Sequence, residues 1–403
     1  MRRFLLDYAD FFRQPEVTRF AVVAFLARMP IGMVGFAMLM MLREALGSYA
    51  LAGWVCGTYF VMIAVSAPAL GRWIDRRGAR GVFLFTWAVH AAALLSIGLL
   101  ARAGAGMVPL TAAAVVAGAF IVPTSTLTRL LWRHRFTDEP TLRRAFAVDA
   151  TLIEANYALG PALVAAVMAA AGATVAFAAA VAAAALAPAV FAASGALRLF
   201  RPGPVAERHW LGPLTQPRLR RLLAATFGIG AGFGLIEIGY PGVASAMGTP
   251  ALAGAWLAAC SVGSAVMGAV FGGMALRASI ERQFLIATGA MAVPLLLHAA
   301  VQGPLAFALV AFLAGGAIAP SLACQSVLVA RFAAAEHAAE AFTWSSTSLM
   351  TGVGAGMAVG GWLVEAAGAR APFVFGALVM VLVAATASTL SPEPARAPVK
   401  RPS

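Results

Sequence analysis

The sequence predicts an all-α integral membrane protein with twelve transmembrane helices in two six-helix bundles, both termini cytoplasmic. Three observations predict it. Of 403 residues, 62% are hydrophobic and only 11% charged, and the mean hydropathy is +0.87. A soluble domain carries roughly a quarter of its residues as charge. The apolar residues collect in twelve runs, each near the ~20 residues that cross the hydrocarbon as a helix. The longest polar interval divides these runs into two sets of six.

Residues 1–18, "MRRFLLDYADFFRQPEVT", place Phe4, Leu5, Tyr8, Phe11 and Phe12 at helical spacing, which predicts a short helix lying in the membrane interface. The segment is too charged for a cleavable signal and lacks a small-residue cleavage site. Six spans follow at 19–43, 49–71, 80–101, 107–131, 145–170 and 173–197, forming a first bundle over 19–197. The sixth, "ATVAFAAAVAAAALAPAVFAASGAL", is alanine-rich and only mildly hydrophobic. Residues 198–220 are a cytoplasmic linker, rich in proline and arginine. The second bundle, 221–390, holds spans at 221–246, 251–275, 283–302, 304–330, 340–366 and 371–390. The tail, 391–403, combines proline with basic residues and is expected to be disordered. Pro30, and Gly160 with Pro161, are expected to bend the first and fifth spans.

Orientation follows from the basic residues. With the amino terminus inside, only Arg43, Arg102 and Arg370 face outside and Arg28 lies within a span; the rest of the 29 Lys and Arg are cytoplasmic. The +13 charge is thereby a topology signal and implies no nucleic-acid partner. Cys56, Cys260 and Cys324 all sit in apolar runs, so no disulfide framework is expected.

Between spans two and three stands "LGRWIDRRGARG", Leu70 to Gly81. Gly71, Asp75, Arg76, Gly78 and Arg80 resemble the loop signature Gly-x-x-x-Asp-Arg-x-Gly-x-Arg of the major facilitator superfamily, in the position and on the side where that family carries it. The topological resemblance covers the whole chain and is strongest to the bacterial twelve-span drug and metabolite proton antiporters. It implies alternating access between two halves, with this loop as a latch holding the cytoplasmic side shut. In that role Gly71 would let span two approach a neighbour. Asp75 would face the positive N-terminal end of span eleven, near Glu340. Arg76 and Arg80 would pair with acids across the gap. The matching loop of the second half, "GGMALRASIERQ", has no aspartate at the corresponding place, so the latch is one-sided. The antiporters also carry a glycine-rich pattern in span five, of which Gly160-Pro161 is present, followed by alanines.

Charge within spans is expensive and usually functional. Arg28 lies nine residues into span one, about 14 Å deep at 1.5 Å per residue. Glu154 sits at a similar depth in span five, so the two are expected to pair in one state and exchange partners with substrate or proton; the plainer alternative is a static ion pair. Glu237, in the glycine-rich stretch "GFGLIEIGYPG", either joins the proton path or reaches outside water. Asp149 reads as a solvated residue near the cytoplasmic end. Asn156, Tyr157, Gln325 and Trp344 are candidate cavity-lining groups, and His90, mid-span, reads as a packing residue.

The expected function is therefore a secondary transporter of a small organic molecule in the bacterial cytoplasmic membrane, a monomer needing no cofactor or metal, with protons as coupling ion and export as direction. Uptake by proton symport is the alternative within the class. An embedded enzyme would need a metal cluster, a phosphate-binding glycine loop or a Ser-His-Asp set, and none is legible among the five histidines. A non-transporting sensor would normally add a soluble domain.

Overall fold

The computed structural model describes residue 13 and residues 15–136, 138–199, 212–274, 276–334 and 337–390. The predicted interfacial helix, most of the linker with His209, and the tail lie outside them. In a membrane every backbone N–H and C=O must be satisfied within the protein, and the described chain answers with helices alone. The first three spans are α1 (Pro15–Leu46), α2 (Tyr49–Arg77) and α3 (Ala79–Arg102). The fourth is two short helices, α4 (Met107–Ala119) and α5 (Thr124–Arg135), interrupted at Pro123. Spans five and six are α6 (Glu139–Ala171) and α7 (Ala173–Ala193). After two 3-10 turns, spans seven and eight are α8 (Pro217–Ala246) and α9 (Leu252–Gly273). The ninth and tenth are each interrupted once, as α10 (Ile280–Ala290) with α11 (Ala292–Ala300) and α12 (Pro304–Gly316) with α13 (Ile318–Phe332). The last two are α14 (Ala338–Ala367) and α15 (Ala371–Ser388). Eleven of these segments are long and apolar enough to cross a membrane, and in the fourth α4 is a shorter apolar helix. The alanine-rich sixth forms a full-length helix.

Local signals set the helix ends. Ser48 caps α2 by accepting from the Leu51 N–H at 3.0 Å. Asp138 caps α6 by accepting from the Thr141 N–H at 2.9 Å, and these bonds hold its carboxyl below the usual range. Gly78 joins α2 to α3 in a one-residue turn at φ +79°, a conformation that favours glycine. That is the glycine of the loop signature the backbone requires. A Cβ at Gly71 would meet nothing within 4 Å, so the expected close approach there does not occur.

The two sets of six helices repeat one packing pattern. In the first, α1 packs on α6 and α7, and α2 on α4; in the second, α8 packs on α14 and α15, and α9 on α12. The halves meet through α2 against α14 and through α9 against α6, two pairs that exchange when the halves are exchanged. A tryptophan ties helices within each set: Trp87 Nε1 donates to the Ala185 carbonyl and Trp256 Nε1 to the Pro304 carbonyl, each at 3.0 Å. In the second half Tyr240, Trp256, His298, Phe307 and Phe373 form one buried aromatic cluster, with His298 stacked on Phe373 at 4.6 Å. Pro30 and Pro161 are carried inside uninterrupted helices.

Candidate functional site

Helix α6 organises the site because it presents two faces. At 3.6 residues per turn, Asn156 and Gly160 each fall within about 20° of Asp149, while Glu154 lies about 140° from it. The first face turns to α1. Asp149 Oδ1 lies 2.7 Å from Arg28 Nη2, with both side chains excluded from solvent. Asn156 donates to the carbonyls of Phe25 at 3.3 Å and Leu152 at 3.1 Å. A Cβ at Gly160 would run into the backbone of Gly32, so this glycine is required by helix approach. The expected Arg28–Glu154 pair is thus not formed: Arg28 pairs with Asp149. Nor is Asp149 a solvated end residue; it is 1% exposed. Its second oxygen lies 3.5 Å from Arg129 Nε of α5. One signal in the sequence pointed this way: Arg28 and Gly32 share the four-residue spacing of Asn156 and Gly160, so each pair lines one face of its helix.

The second face of α6 carries Glu154, Tyr157 and Pro161 toward α9. Ser261 of α9 donates to the Tyr157 carbonyl at 3.1 Å, and Gly254 fits against Ala165 and the Pro161 carbonyl. Ser264 of α9, 1% exposed, turns its hydroxyl toward the Glu154 carboxylate. Tyr157 lies within electrostatic reach of both Glu154 and Glu237, and so does Cys260. Cys56 of α2 feels Glu237 and neighbours Tyr59. Tyr157 keeps 37% of its surface accessible. Glu154 and Glu237 are likewise partly accessible. The two acids, one from each half, therefore border one region at the seam. Sequence reading named Glu154, Glu237 and Tyr157 but missed Cys56, Tyr59, Cys260 and Ser264, which look like ordinary residues of apolar spans.

Two other candidates have different surroundings. Gln325 of α13 is 5% exposed and bonds Thr226 at 3.4 Å and Ser345, tying three helices of the second half together. Trp344 of α14 is partly buried against the core. His90 is buried with Nδ1 2.8 Å from the Ala117 carbonyl, beside the break in the fourth span. That is a packing role.

Above the acids, toward Tyr49, the halves are sealed. Tyr49 donates to the Pro241 carbonyl at 2.9 Å and its hydroxyl lies 2.7 Å from Ser245 Oγ. The Ala50 N–H donates to Glu365 Oε1 at 3.2 Å. Between them α2 and α14 touch backbone to backbone, because a Cβ at Gly53, Gly57, Gly354 or Gly361 would strike a carbonyl of the opposite helix. Farther along, Thr347 donates to the Ala64 carbonyl at 3.3 Å. Ser66 turns to Gly118 of its own half, and a Cβ at Gly71, Gly272 or Gly273 would meet nothing within 4 Å. The two halves are thus sealed at the Tyr49 end. Near Asp75 a surface cleft of about 570 Å³ is lined by Ala69, Arg72, Trp73, Arg76 and Arg77, all of α2.

The comparisons with known proteins follow this geometry. The profile described as Major Facilitator Superfamily matches residues 20–236 and 222–403. Among solved structures, the fold is similar to that of the nucleoside transporter NupG, at 14% identity and a TM-score of 0.72, over 93% of this chain and 98% of that one. It is also similar to a POT family transporter in complex with 5-aminolevulinic acid, at 12% identity and a TM-score of 0.70, over 92% of this chain and 95% of that one. Curated proteins compared by sequence give no match.

Proposed function

The chain belongs to the major facilitator superfamily, and from that premise we propose that it is a proton-coupled secondary transporter exporting a small organic molecule by alternating access. One observation carries the reading: two six-helix halves are sealed across the Tyr49 end, with Glu154 on α6 and Glu237 on α8, helices that each contact the other half. A carboxylate whose surroundings change as the halves rock is the element that couples a proton gradient to transport. Glu154 and Glu237 are the proton-bearing groups in this reading, with Tyr157 between them. Arg28, held by Asp149, stabilises the first half, with Asn156 and Gly160 fastening the same helix pair. The halves span 19–197 and 221–390, joined by the 198–220 linker. The Asp75 end is cytoplasmic, as the basic residues indicate, and the sealed Tyr49 end is then external, in a monomer of the bacterial cytoplasmic membrane. The loop signature closes that end in the outward-open state.

Purified protein in proteoliposomes tests this. An imposed proton gradient drives substrate flux by the wild type. Glu154→Gln abolishes gradient-driven flux and leaves downhill exchange. Full proton-driven flux in Glu154→Gln makes Glu154 structural and moves the proton site to Glu237. Reporter fusions in the linker and after Ser403 read cytoplasmic, and one after Gly248 reads external; an external signal from the linker overturns the topology.

A further inference from the structure

The two sides of helix α2 meet different surroundings. About 18 residues make five turns, so residues that far apart stand in line along a helix. Asp75 stands in line with Gly57, where a Cβ would strike the Gly354 carbonyl of α14, and so it lies on the side of the seam. Arg72 stands in line with Trp54, and Ala69 with Leu51; Trp54 and Leu51 are both exposed. Arg76 is turned about 100° from Asp75 and falls within about 20° of Val65, which is exposed as well. The loop signature would pair Arg76 with acids across the gap; helical phase sends it instead to the side of α2 away from α14.

That side ends in the cleft of about 570 Å³ lined by Ala69, Arg72, Trp73, Arg76 and Arg77. Three guanidinium groups border it within two turns of one helix. Arg72 and Arg76 are four residues apart, a spacing at which like charges repel. An anion is the charge that complements this lining. Depth decides the kind of anion. Trp54 and Trp73 are separated by about 28 Å along the helix at 1.5 Å per residue, close to the ~30 Å thickness of the hydrocarbon. Tryptophan concentrates at the two membrane interfaces, so Trp73 and the arginines around it stand at headgroup level. An apolar path leads inward from there. Trp73 packs edge-on against Phe85 of α3 at 5.4 Å, and Phe85 packs likewise against Phe120 at 5.6 Å. Phe85 is exposed and lies about 9 Å deeper than the first residue of α3.

We propose that this cleft binds an anionic phospholipid. The phosphate sits among Arg72, Arg76 and Arg77, the Trp73 indole lies beside the glycerol, and an acyl chain runs along Phe85 and Phe120. The apolar path selects a lipid over a soluble phosphate. The site lies away from the seam, so the inference goes beyond the transporter reading and does not depend on what is carried or in which direction.

Native mass spectrometry of the purified full-length protein tests it, with phosphatidylglycerol, phosphatidylcholine of the same chains, and soluble glycerol 3-phosphate as probes. The expected result is one tightly held phosphatidylglycerol, bound in preference to phosphatidylcholine and not displaced by glycerol 3-phosphate. Arg72→Gln, Arg76→Gln and Arg77→Gln each weaken it about fivefold, the effect of one cation beside an anionic headgroup. Changing all three to lysine keeps most of the binding, which separates loss of charge from loss of fold. Arg282, an exposed arginine near the start of α10 in the second half, is the control, and Arg282→Gln leaves the tight lipid in place. The inference is overturned if phosphatidylcholine binds as tightly, or if glycerol 3-phosphate displaces the lipid, which makes the cleft a site for free phosphate. It is overturned equally if Arg282→Gln costs as much as the cleft variants, which makes the attraction a diffuse property of a basic face.

Discussion

Tyr49→Phe isolates the seal at the closed end. The hydroxyl donates to the Pro241 carbonyl at 2.9 Å and contacts Ser245 Oγ at 2.7 Å. Pro241 and Ser245 stand four and eight residues beyond Glu237 on α8, so the seal begins about 6 Å above that acid and reaches about 12 Å above it. Removing the hydroxyl leaves the ring, 7% exposed, in place beneath the Arg43 guanidinium at 5.4 Å. Two hydrogen bonds at a net ~0.5–1.5 kcal/mol each contribute about 1–3 kcal/mol to the closed state. Their loss shifts the equilibrium toward opening at this end by about 5- to 150-fold. The protein carries its own reporters, because Cys56 and Cys260 are buried just below the seal, 0% and 5% exposed. In cells carrying Cys324→Ala, an impermeant maleimide added outside labels Cys56 and Cys260 faster in Tyr49→Phe than in the parent. Glu365→Gln, which weakens the bond to the Ala50 N–H, adds to the effect if the two contacts act independently. Equal labelling rates with intact expression, or faster labelling only from the cytoplasmic face, refute the assignment of Tyr49 as the seal.

Three further outcomes follow from the packing. Arg28→Ala strands Asp149 in the buried face of α6 and lowers stability by about 3–5 kcal/mol; Arg28→Met with Asp149→Asn restores most of it, measured by thermal unfolding in detergent, while Arg28→Ala with Glu154→Gln does not. Gly57→Val places a side chain on the Gly354 carbonyl and prevents the Tyr49 end from closing, so external labelling of Cys260 rises and transport stops; unchanged transport shows that the seam tolerates separation. Asp75→Asn weakens the state closed at the cytoplasmic end by about 0.3–2 kcal/mol, the range for a charge at a helix terminus. A cysteine placed at Thr347 then labels faster from the cytoplasm; an unchanged rate returns this loop to an ordinary connector.

The membrane-spanning segments were legible in the sequence because hydrocarbon admits only a chain that satisfies its own backbone, and a run of apolar residues long enough to cross can do so only as a helix. The loop signature was legible for a related reason: it lies in one contiguous stretch between two spans. Which charges meet was not legible. Asp149 and Glu154 are five residues apart and look alike as acids in one span, and depth alone pairs Arg28 with the nearer in height, Glu154. Helical phase decides otherwise, since five residues turn a side chain about 140°, and only the packing of α6 between α1 and α9 says which face meets Arg28. The glycines divide in the same way. Gly71 and Gly57 are both small residues of one helix, but only the approach of α14 makes a Cβ impossible at one and harmless at the other. Length, hydropathy and sidedness are properties of the chain taken one segment at a time. The site belongs to the contacts between segments, where close packing in a solvent without hydrophobic drive depends on shape and phase.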